Sequence, residues 1–254
     1  MLVISMLLSA ASAWWDHGHL LTARVAEKIL SKEDPTTYNN ALAILHTLKE
    51  TDPNFTINED KHPFTECATY ADFIKGKKEG KYQQGWHFID EPFLDEGGDI
   101  SDYDFTFDSH NITEVVNSLT MWFTQAEGYQ DTYEYQQIMN HTYKDHSEKN
   151  GLSTAMRFLI HYIGDLHQPL HSATRVDHEY PKGDFGGNLV YLPDREGAKN
   201  LHSVWDSVGY EFTGYAELVR TLFFSINLSL SNFGRRNLFC YLLFSHSTSL
   251  HGKS

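Results

Sequence analysis

The sequence predicts a single, mainly α-helical domain with a short β-hairpin or strand near residues 186–193. Apolar residues recur at three- and four-residue steps in six segments, as they do on the buried face of a helix. Only GDFGGNLVYLPD gives a convincing strand signal, a glycine turn followed by Leu189 to Leu192. The 254 residues are 41% hydrophobic, which is enough for one sizeable domain or two small ones.

Periodicity and capping residues place the first two helices. The first is marked by Leu21, Val25, Ala26 and Ile29. Asp34-Pro35 is typical of an N-cap followed by proline at the first helical position. It opens a second helix, whose apolar positions are Leu42, Ile44, Leu45 and Leu48.

Four further helices follow. The third covers Phe64 to Lys75, the fifth covers Ala155 to Gln168, and the sixth begins with Leu201 to Val208. An acidic, glycine-containing loop occupies residues 90–108, where we expect the charges to be solvated. The fourth helix is marked by Ile112, Val115, Val116, Leu119, Trp122 and Phe123.

Composition restricts the function classes. A formal net charge of −14 is atypical of a duplex-DNA binder, although bound divalent metals would reverse the field at a site. With 15 histidines and 2 cysteines, a metal site would use His, Asp and Glu, which favours zinc and leaves manganese and iron open. Cys67 and Cys240 can pair or remain free thiols, and two cysteines define no disulfide framework.

The N-terminus MLVISMLLSAASAWW has the features of a signal peptide covering residues 1–13. An apolar segment precedes Ala11-Ser12-Ala13, an A-x-A cleavage pattern that would make Trp14 the first mature residue. The segment is short and lacks Lys and Arg, so a buried helix is the alternative. No other segment has the run of about 20 apolar residues that a membrane span needs. Four sequons are compatible with secretion: Asn54, Asn111, Asn140 and Asn227.

The segment RFLIHYIGDLHQPLHSATR concentrates histidine and aspartate in a helix-like, apolar run. His161 and Asp165 are four residues apart, so on a helix they share a face and can reach one ion. His167 lies roughly 200° around the helix from Asp165, and we interpret it as a bystander. Pro169 should end or kink the helix, and His171 beyond it can face elsewhere. A surface pair is the commoner cause of a single His-x-x-x-Asp spacing.

Other segments carry similar groups. LHSVWD repeats the spacing with His202 and Asp206 on a predicted helix. Buried imidazoles and carboxylates are costly unless they are paired or bind a metal, so the repetition favours a metal site with several ligands. Three segments add four more candidates: His87 in GWHFID, Asp72 in YADFIK, and His17 and His19 in WWDHGH.

Taken in order, WWDHGH, YAD, WHFID, HYIGDLHQPLH, GGN and NLHSVWD resemble the secreted zinc-dependent single-strand nucleases of fungi and plants. That family is related to the bacterial zinc phospholipases C. Each motif alone is weak, but the ordered set is specific, and it covers Trp14 to Glu217. The resemblance implies a helical fold of the zinc phospholipase C–nuclease type that holds three zinc ions.

The resemblance also implies a role for each matching residue. One zinc would be bound by Asp72, His87, His161 and Asp165. A second would be bound by the amino nitrogen and carbonyl of Trp14, by His19 and again by Asp165, with a water or hydroxide between the two metals. The third would be bound by His171, His202 and Asp206.

The implied chemistry is hydrolysis of the P–O3′ bond, which leaves a 5′-phosphate. Two metals that share a carboxylate can orient a hydroxide in line with phosphorus, and the third can stabilise the leaving oxygen. Asp72 would also hold the attacking water. Lys75 matches a basic position of the family and would neutralise phosphate, or it is simply a solvated lysine.

A base-binding pocket is implied beside the metals. Phe88 would stack on a base, Asp90 would hydrogen-bond its edge, and Asn188 would line the pocket. Stacking is worth about 1–3 kcal/mol per base and tolerates any sequence. A paired base cannot present its face, which would explain a preference for single strands. Alternatively, Phe88 belongs to the core.

The sequence therefore predicts a secreted enzyme, or one of the secretory or lysosomal lumen, that acts on single-stranded RNA, DNA and 3′-nucleotides. No stable protein partner and no membrane span are expected. Two alternatives are a zinc phospholipase C and a non-catalytic zinc-binding or aberrant product. Asp206 argues against the phospholipase, since those enzymes tend to use Glu there. Residues 14–217 form the predicted nuclease domain, and 218–254 depart from the family pattern; a membrane anchor there is disfavoured by Arg235 and Arg236.

Overall fold

The computed structural model describes residues 15–141 and 147–209. Within these ranges helices predominate, which confirms the mainly α class. No helix in this part of the chain is long and apolar enough to cross a membrane. The helices are α1 (Asp16–Glu33), α2 (Pro35–Thr51), α3 (Pro63–Glu66), α4 (Tyr70–Lys75), α5 (Ile112–Thr124), α6 (Tyr133–His141), α7 (Glu148–Asp165), α8 (Pro169–Ser172) and α9 (Leu201–Asp206).

Several predicted features lie outside the described residues. They are the signal peptide at 1–13, Trp14, Asn227, Cys240 and the C-terminal segment at 218–254. Cys67 lies within the described residues as a free, fully buried thiol.

Helix α2 begins where its cap predicts. The Asp34 carboxylate accepts hydrogen bonds from the Thr37 amide at 3.0 Å and from the Thr37 hydroxyl at 2.7 Å. The amide would otherwise be one of the unpaired donors at a helix start. Pro35 occupies the first turn, where its missing N–H costs nothing.

The predicted third helix, Phe64 to Lys75, is not continuous. It consists of α3, a 3-10 helix at Cys67–Thr69, and α4. The 3-10 turn packs against α7, and the Ala68 carbonyl there accepts a hydrogen bond from His161 Nδ1 at 2.6 Å. A local pattern cannot signal this break, because its partner is distant in sequence.

Helix α7 starts earlier and ends earlier than predicted. Ser147 caps it by accepting a hydrogen bond from the Asn150 amide at 3.3 Å. The helix ends at Asp165 rather than Gln168, and Pro169 begins the separate helix α8. The break near Pro169 is therefore confirmed, and it places His171 on a separate helix from His161 and Asp165.

Two small sheets complete the described fold. The hairpin β3 (Tyr191–Arg195) with β4 (Ala198–Asn200) confirms the predicted strand, but it begins at residue 191. Gly186 and Gly187 have positive φ and form the predicted glycine turn. A parallel pair, β1 (Glu91–Leu94) with β2 (Ala173–Val176), was not predicted. It joins the predicted acidic loop to the chain that follows α8.

Helix α7 lies at the centre of the core, with α1, α2, α5 and α6 packed around it. The larger apolar cluster contains fully buried Trp86, Trp122, Phe158 and Tyr162. Trp86 packs edge-to-face against Phe158 with ring centroids 6.0 Å apart. Burying a phenylalanine side chain contributes about 1.5–3 kcal/mol, so this packing fixes the position of α7 and of the polar groups at its carboxyl end.

Candidate metal centre

The carboxyl end of α7 places His161 and Asp165 on one buried face, both 0% exposed. The surface-pair interpretation of their spacing is therefore wrong. Asp165 Oδ2 lies 2.8 Å from His87 Nδ1 and 3.2 Å from His161 Nε2. Asp72, on α4, lies 3.9 Å from His161 Nε2 through Oδ1. One group of potential ligands is thus Asp72, His87 and His161.

A second group shares His161 with the first. It contains His19 from α1, His161 and Asp165. Asp165 Oδ1 lies 3.2 Å from His19 Nε2, while its Oδ2 faces the first group. The two oxygens of one carboxylate thus face different groups, as a bridging ligand requires.

Gly164 makes room for the second group. The His19 ring stacks on His161 with centroids 3.8 Å apart. A Cβ at residue 164 would lie 2.6 Å from His19 Nδ1, so any larger side chain there would displace the imidazole.

The third group lies beyond the break that follows α7. It contains His171 on α8 with His202 and Asp206 on α9, all buried. The Nε2 atoms of His171 and His202 are 3.2 Å apart, and His202 Nε2 is 3.5 Å from Asp206 Oδ2. Gln168 donates to Asp206 Oδ1 at 2.8 Å and so orients that carboxylate.

Backbone carbonyls orient three of the histidines. Each donates from Nδ1 to a carbonyl oxygen, which can only accept, so each turns Nε2 into the site. The bonds run from His161 to Ala68 at 2.6 Å, from His171 to His87 at 2.7 Å and from His202 to Gly186 at 2.7 Å.

The pKa values favour neutral imidazoles in most of the site. Burial lowers the pKa of His87 to about 4 and that of His171 to about 3, and it lowers those of His19 and His202 as well. A neutral imidazole is the form that binds metal. His161 differs: burial lowers its pKa, but the charges of Asp165 and Asp72 raise it overall.

The carboxylates respond to the same surroundings. Burial raises the pKa of Asp165, but the imidazoles of His161, His171 and His19 hold it well below the usual range. For Asp206, burial raises the pKa well above the usual range, and the hydrogen bond from Gln168 and the charge of Lys75 offset it only in part. A bound cation would supply the missing charge and favour the carboxylate.

These residues fit a metal ion. Asp165 Oδ1 and both ring nitrogens of His19 are buried and make no hydrogen bond in the described residues. Nitrogen and oxygen atoms that face each other at about 3 Å without a proton between them repel one another, and a shared cation removes that repulsion. Imidazole and carboxylate are ligands of zinc, at about 2.0–2.2 Å, and the site offers no thiolate among its described groups.

Trp14 lies outside the described residues, so its predicted role as a ligand stays a prediction. The neighbouring Trp15 amide donates to the Asp206 carbonyl at 3.0 Å. This bond ties the start of α1 to the end of α9, which carries the third group. His17 is buried in α1, but it is absent from the three groups of potential ligands.

Lys75 is buried and contacts the site. Its Nζ lies 2.7 Å from Asp72 Oδ1, and the side chain is 7% exposed. The interpretation as a solvated lysine is therefore wrong. Burial raises the pKa of Asp72, but the charges of His161 and Lys75 lower it overall.

Phe88 lies against the third group. Its ring stacks on His171 with centroids 4.5 Å apart, and it is half-buried and outside both apolar clusters of the described residues. Asp90 follows with φ of 54° and a buried Oδ1 without a hydrogen bond. Burial, with the charge of Asp184, raises the pKa of Asp90 to about 6.

Asn188 follows the glycine turn whose carbonyl oxygens accept hydrogen bonds from His202. Its Nδ2 donates to the Phe185 carbonyl at 2.8 Å, and its Oδ1 accepts from Asn200 at 3.4 Å. Gly186 needs to be glycine: its φ is 60°, and a Cβ there would lie 2.0 Å from the Leu170 carbonyl oxygen. The turn thus holds Asn188 near His202.

Sequence reasoning missed Gln83 and Gln168, whose buried amides contact the candidate ligands His87 and Asp206, and Tyr162, whose buried hydroxyl contacts Gln83. Gln83 accepts hydrogen bonds from His87 and from the Tyr162 hydroxyl. An available signal was the i, i+4 spacing of Gln83 and His87, but glutamine pairs of that kind are common on helix surfaces.

Comparison with known proteins bears on this arrangement. Residues 14–217 match the sequence model of the S1/P1 nuclease family. The chain belongs to the S1/P1 nuclease family. The match contains every candidate ligand, from Trp14 to Asp206.

Named relatives agree with this assignment. Endonuclease 4 of Arabidopsis thaliana is 25% identical over 215 residues, which cover 82% of this chain and 58% of the relative. Nuclease S1 of Aspergillus oryzae is 24% identical and nuclease P1 of Penicillium citrinum 26% identical, each over 196 residues, 76% of this chain and 53% or 57% of the relative. The chain thus spans somewhat more than half the length of these relatives.

Proposed function

We propose that the chain is a secreted, zinc-dependent nuclease. It hydrolyses single-stranded RNA and DNA, and 3′-nucleotides, and leaves 5′-phosphate products. The observation that carries this proposal is the bridging position of Asp165, whose two oxygens face two neighbouring groups of buried ligands. Membership of a family whose relatives are named nucleases supports the reaction class.

The proposed assignment uses three zinc ions. Asp72, His87, His161 and Asp165 bind the first. Trp14, His19 and Asp165 bind the second. The third is bound by His171, His202 and Asp206, which the structure groups together.

When bound, zinc lowers the pKa of a coordinated water toward about 7 and polarises phosphate oxygens. The chain positions the other reactants. Asp72 Oδ1 is held by Lys75 and lies near His161 Nε2. From there it can accept a hydrogen bond from the attacking water. Lys75 supplies a fixed positive charge for the phosphate, and in a buried setting that charge is only weakly screened.

Base recognition is assigned to Phe88, Asp90 and Asn188. Phe88 has one face against His171 and is half-exposed, so its other side is available for stacking. Asp90 Oδ1 needs a hydrogen-bond donor, and the edge of a base can provide one. A base held in a duplex cannot reach this pocket, which accounts for a single-strand preference.

Secretion is part of the proposal and rests on the N-terminal pattern. Two of the sequons, Asn54 and Asn140, are exposed and so accessible to glycosylation. Expression in a secreting host should yield protein in the medium that begins at Trp14. Retention of residues 1–13 in that material would contradict this part.

The test is metal analysis of the secreted protein together with hydrolysis assays. About three zinc ions per chain, cleavage of single-stranded RNA and DNA, and little cleavage of duplex would support the proposal. Hydrolysis of a phosphatidylcholine vesicle instead would identify a phospholipase C. Three zinc ions without hydrolysis of either substrate would identify a binding protein.

A further inference from the structure

Gln83 is a fully buried amide that connects elements carrying the candidate ligands. It lies in the 3-10 helix Lys81–His87 and is 0% exposed. Its Oε1 accepts hydrogen bonds from His87 Nε2 at 2.8 Å and from the Tyr162 hydroxyl at 2.6 Å. Its Nε2 donates to the Ala71 carbonyl at 2.9 Å. Both ends of the amide are therefore engaged.

These partners determine which way the amide faces. The Ala71 carbonyl oxygen can only accept, so the NH2 group must point toward it. The amide oxygen then faces His87 and Tyr162, and each of them must donate. Turning the amide over would bring two acceptor oxygens together in a dry interior and leave both unsatisfied.

The orientation of Gln83 selects the tautomer of His87. Because Nε2 must carry the proton, Nδ1 bears the lone pair, and it lies 2.8 Å from Asp165 Oδ2 and 3.1 Å from His161 Nε2. His87 thus turns Nδ1 into the site. This is the opposite of the histidines whose Nδ1 donates to a backbone carbonyl: His161, His171 and His202.

We propose that Gln83 is a positioning residue that makes Nδ1 the metal-binding atom of His87. Through Ala71 and Tyr162 it also fixes the spacing between α4, which carries Asp72, and α7, which carries His161. The inference rests on the proposed function only in requiring a metal at the first group. Changes to residues that orient a metal ligand typically lower metal affinity 10- to 100-fold, roughly.

Zinc affinity is the first test, measured on the secreted full chain by competition with a chelator. Gln83→Leu should weaken the tightest zinc step about 10- to 100-fold. Gln83→Glu keeps an acceptor for His87 but loses the donor to the Ala71 carbonyl, so it should recover part of that loss. The matched control is Gln84→Leu, because Gln84 is exposed and its amide donates to the Lys75 carbonyl rather than to a candidate ligand. Equal affinities in Gln83→Leu and Gln84→Leu would overturn the proposal.

The tautomer can also be observed directly, without any change to Gln83. Long-range proton–nitrogen correlation spectra of the zinc-loaded chain, labelled with ¹⁵N-histidine, distinguish a metal-bound Nδ1 from a metal-bound Nε2. We expect one histidine with metal on Nδ1 and a proton on Nε2, and His87→Gln should remove that signal. A spectrum in which His87 binds through Nε2 would reject the proposal even if Gln83→Leu fails to fold.

Neither readout depends on catalysis. A chain that binds zinc through His87 Nδ1 but hydrolyses no nucleic acid would sustain the inference and contradict the proposed function. A nuclease whose His87 binds through Nε2 would do the reverse.

Discussion

Two positions in helix α7, Arg157 and Asp165, bury polar groups in opposite ways although they are only about two turns apart. Arg157 uses all of its N–H groups. Its Nε and Nη2 donate to the two carboxylate oxygens of Glu59, both at 2.7 Å. Its Nη1 donates to the carbonyl and the hydroxyl of Ser153. Its Nη2 also donates to the Leu45 carbonyl. The charge and every donor are satisfied by the chain itself.

Eight residues later, at Asp165, the chain does not complete its own interactions. Asp165 Oδ1 and the ring nitrogens of His19 make no hydrogen bond in the described residues, although they are buried and only 3.2 Å separates the closest pair. The contrast separates two uses of a buried charge. A structural ion pair comes with its counter-charge, whereas the groups around Asp165 could hold a metal ion that would supply it.

The largest effect should come from Asp165→Asn, which removes the charge that faces two groups at once. Two adjacent dications then lose shared compensation, so we expect loss of more than one zinc per chain and at least about a 100-fold loss of hydrolysis. Metal analysis and single-turnover assays of the purified variant measure this. Full zinc content with near-parental turnover would disprove the bridging role.

The next effect concerns Trp14, which immediately precedes the first described residue. If the Trp14 amino group binds zinc, it must be free, because an amide nitrogen delocalises its lone pair. A chain that keeps residues before Trp14 should lack one metal and be nearly inactive beside a chain that starts at Trp14. Both forms are reconstituted with zinc and assayed together. Equal zinc content and activity in the two forms would show that the Trp14 amino group is not a ligand and that Trp14 only packs near the site.

Arg157→Met tests the other half of the comparison, because it breaks the buried ion pair with Glu59. Leaving Glu59 buried without its partner typically costs about 3–5 kcal/mol of stability, and urea denaturation measures it. The double change Arg157→Met, Glu59→Met should recover much of that loss, since it removes both charges. Zinc content per folded chain should stay parental in both. A loss of zinc without a loss of stability would show that the Arg157–Glu59 pair and the groups around Asp165 are not independent.

The smallest effect is expected from Phe88→Ala, which leaves the ligands in place. Lost stacking should raise KM for nucleotides about 5- to 150-fold, from 1–3 kcal/mol per base. A phosphodiester without a base should be cleaved almost as before, and zinc content should not change. Equal losses on both substrates would assign Phe88 to packing around His171.

Much of the fold was predictable because its signals are local. The start of α2 follows from Asp34 and Pro35, and the break after α7 follows from Pro169, since each acts on its own backbone. The interruption of the third helix by the turn at Cys67–Thr69 was not predictable, because its partner is His161. The parallel pairing of Glu91–Leu94 with Ala173–Val176 joins short segments that are far apart in the chain, and neither shows a strand pattern alone.

The sequence by itself determined the residue types and spacings of the site, including the two His-x-x-x-Asp pairs at 161–165 and 202–206. Tertiary structure decided which atoms face one another. It assigned Asp165 Oδ1 and Oδ2 to different groups, buried Lys75 against Asp72, and set Gln83 against His87. The physical reason is that helical periodicity fixes directions within one element, whereas ring orientation and hydrogen-bond partners depend on side chains brought together from distant parts of the chain.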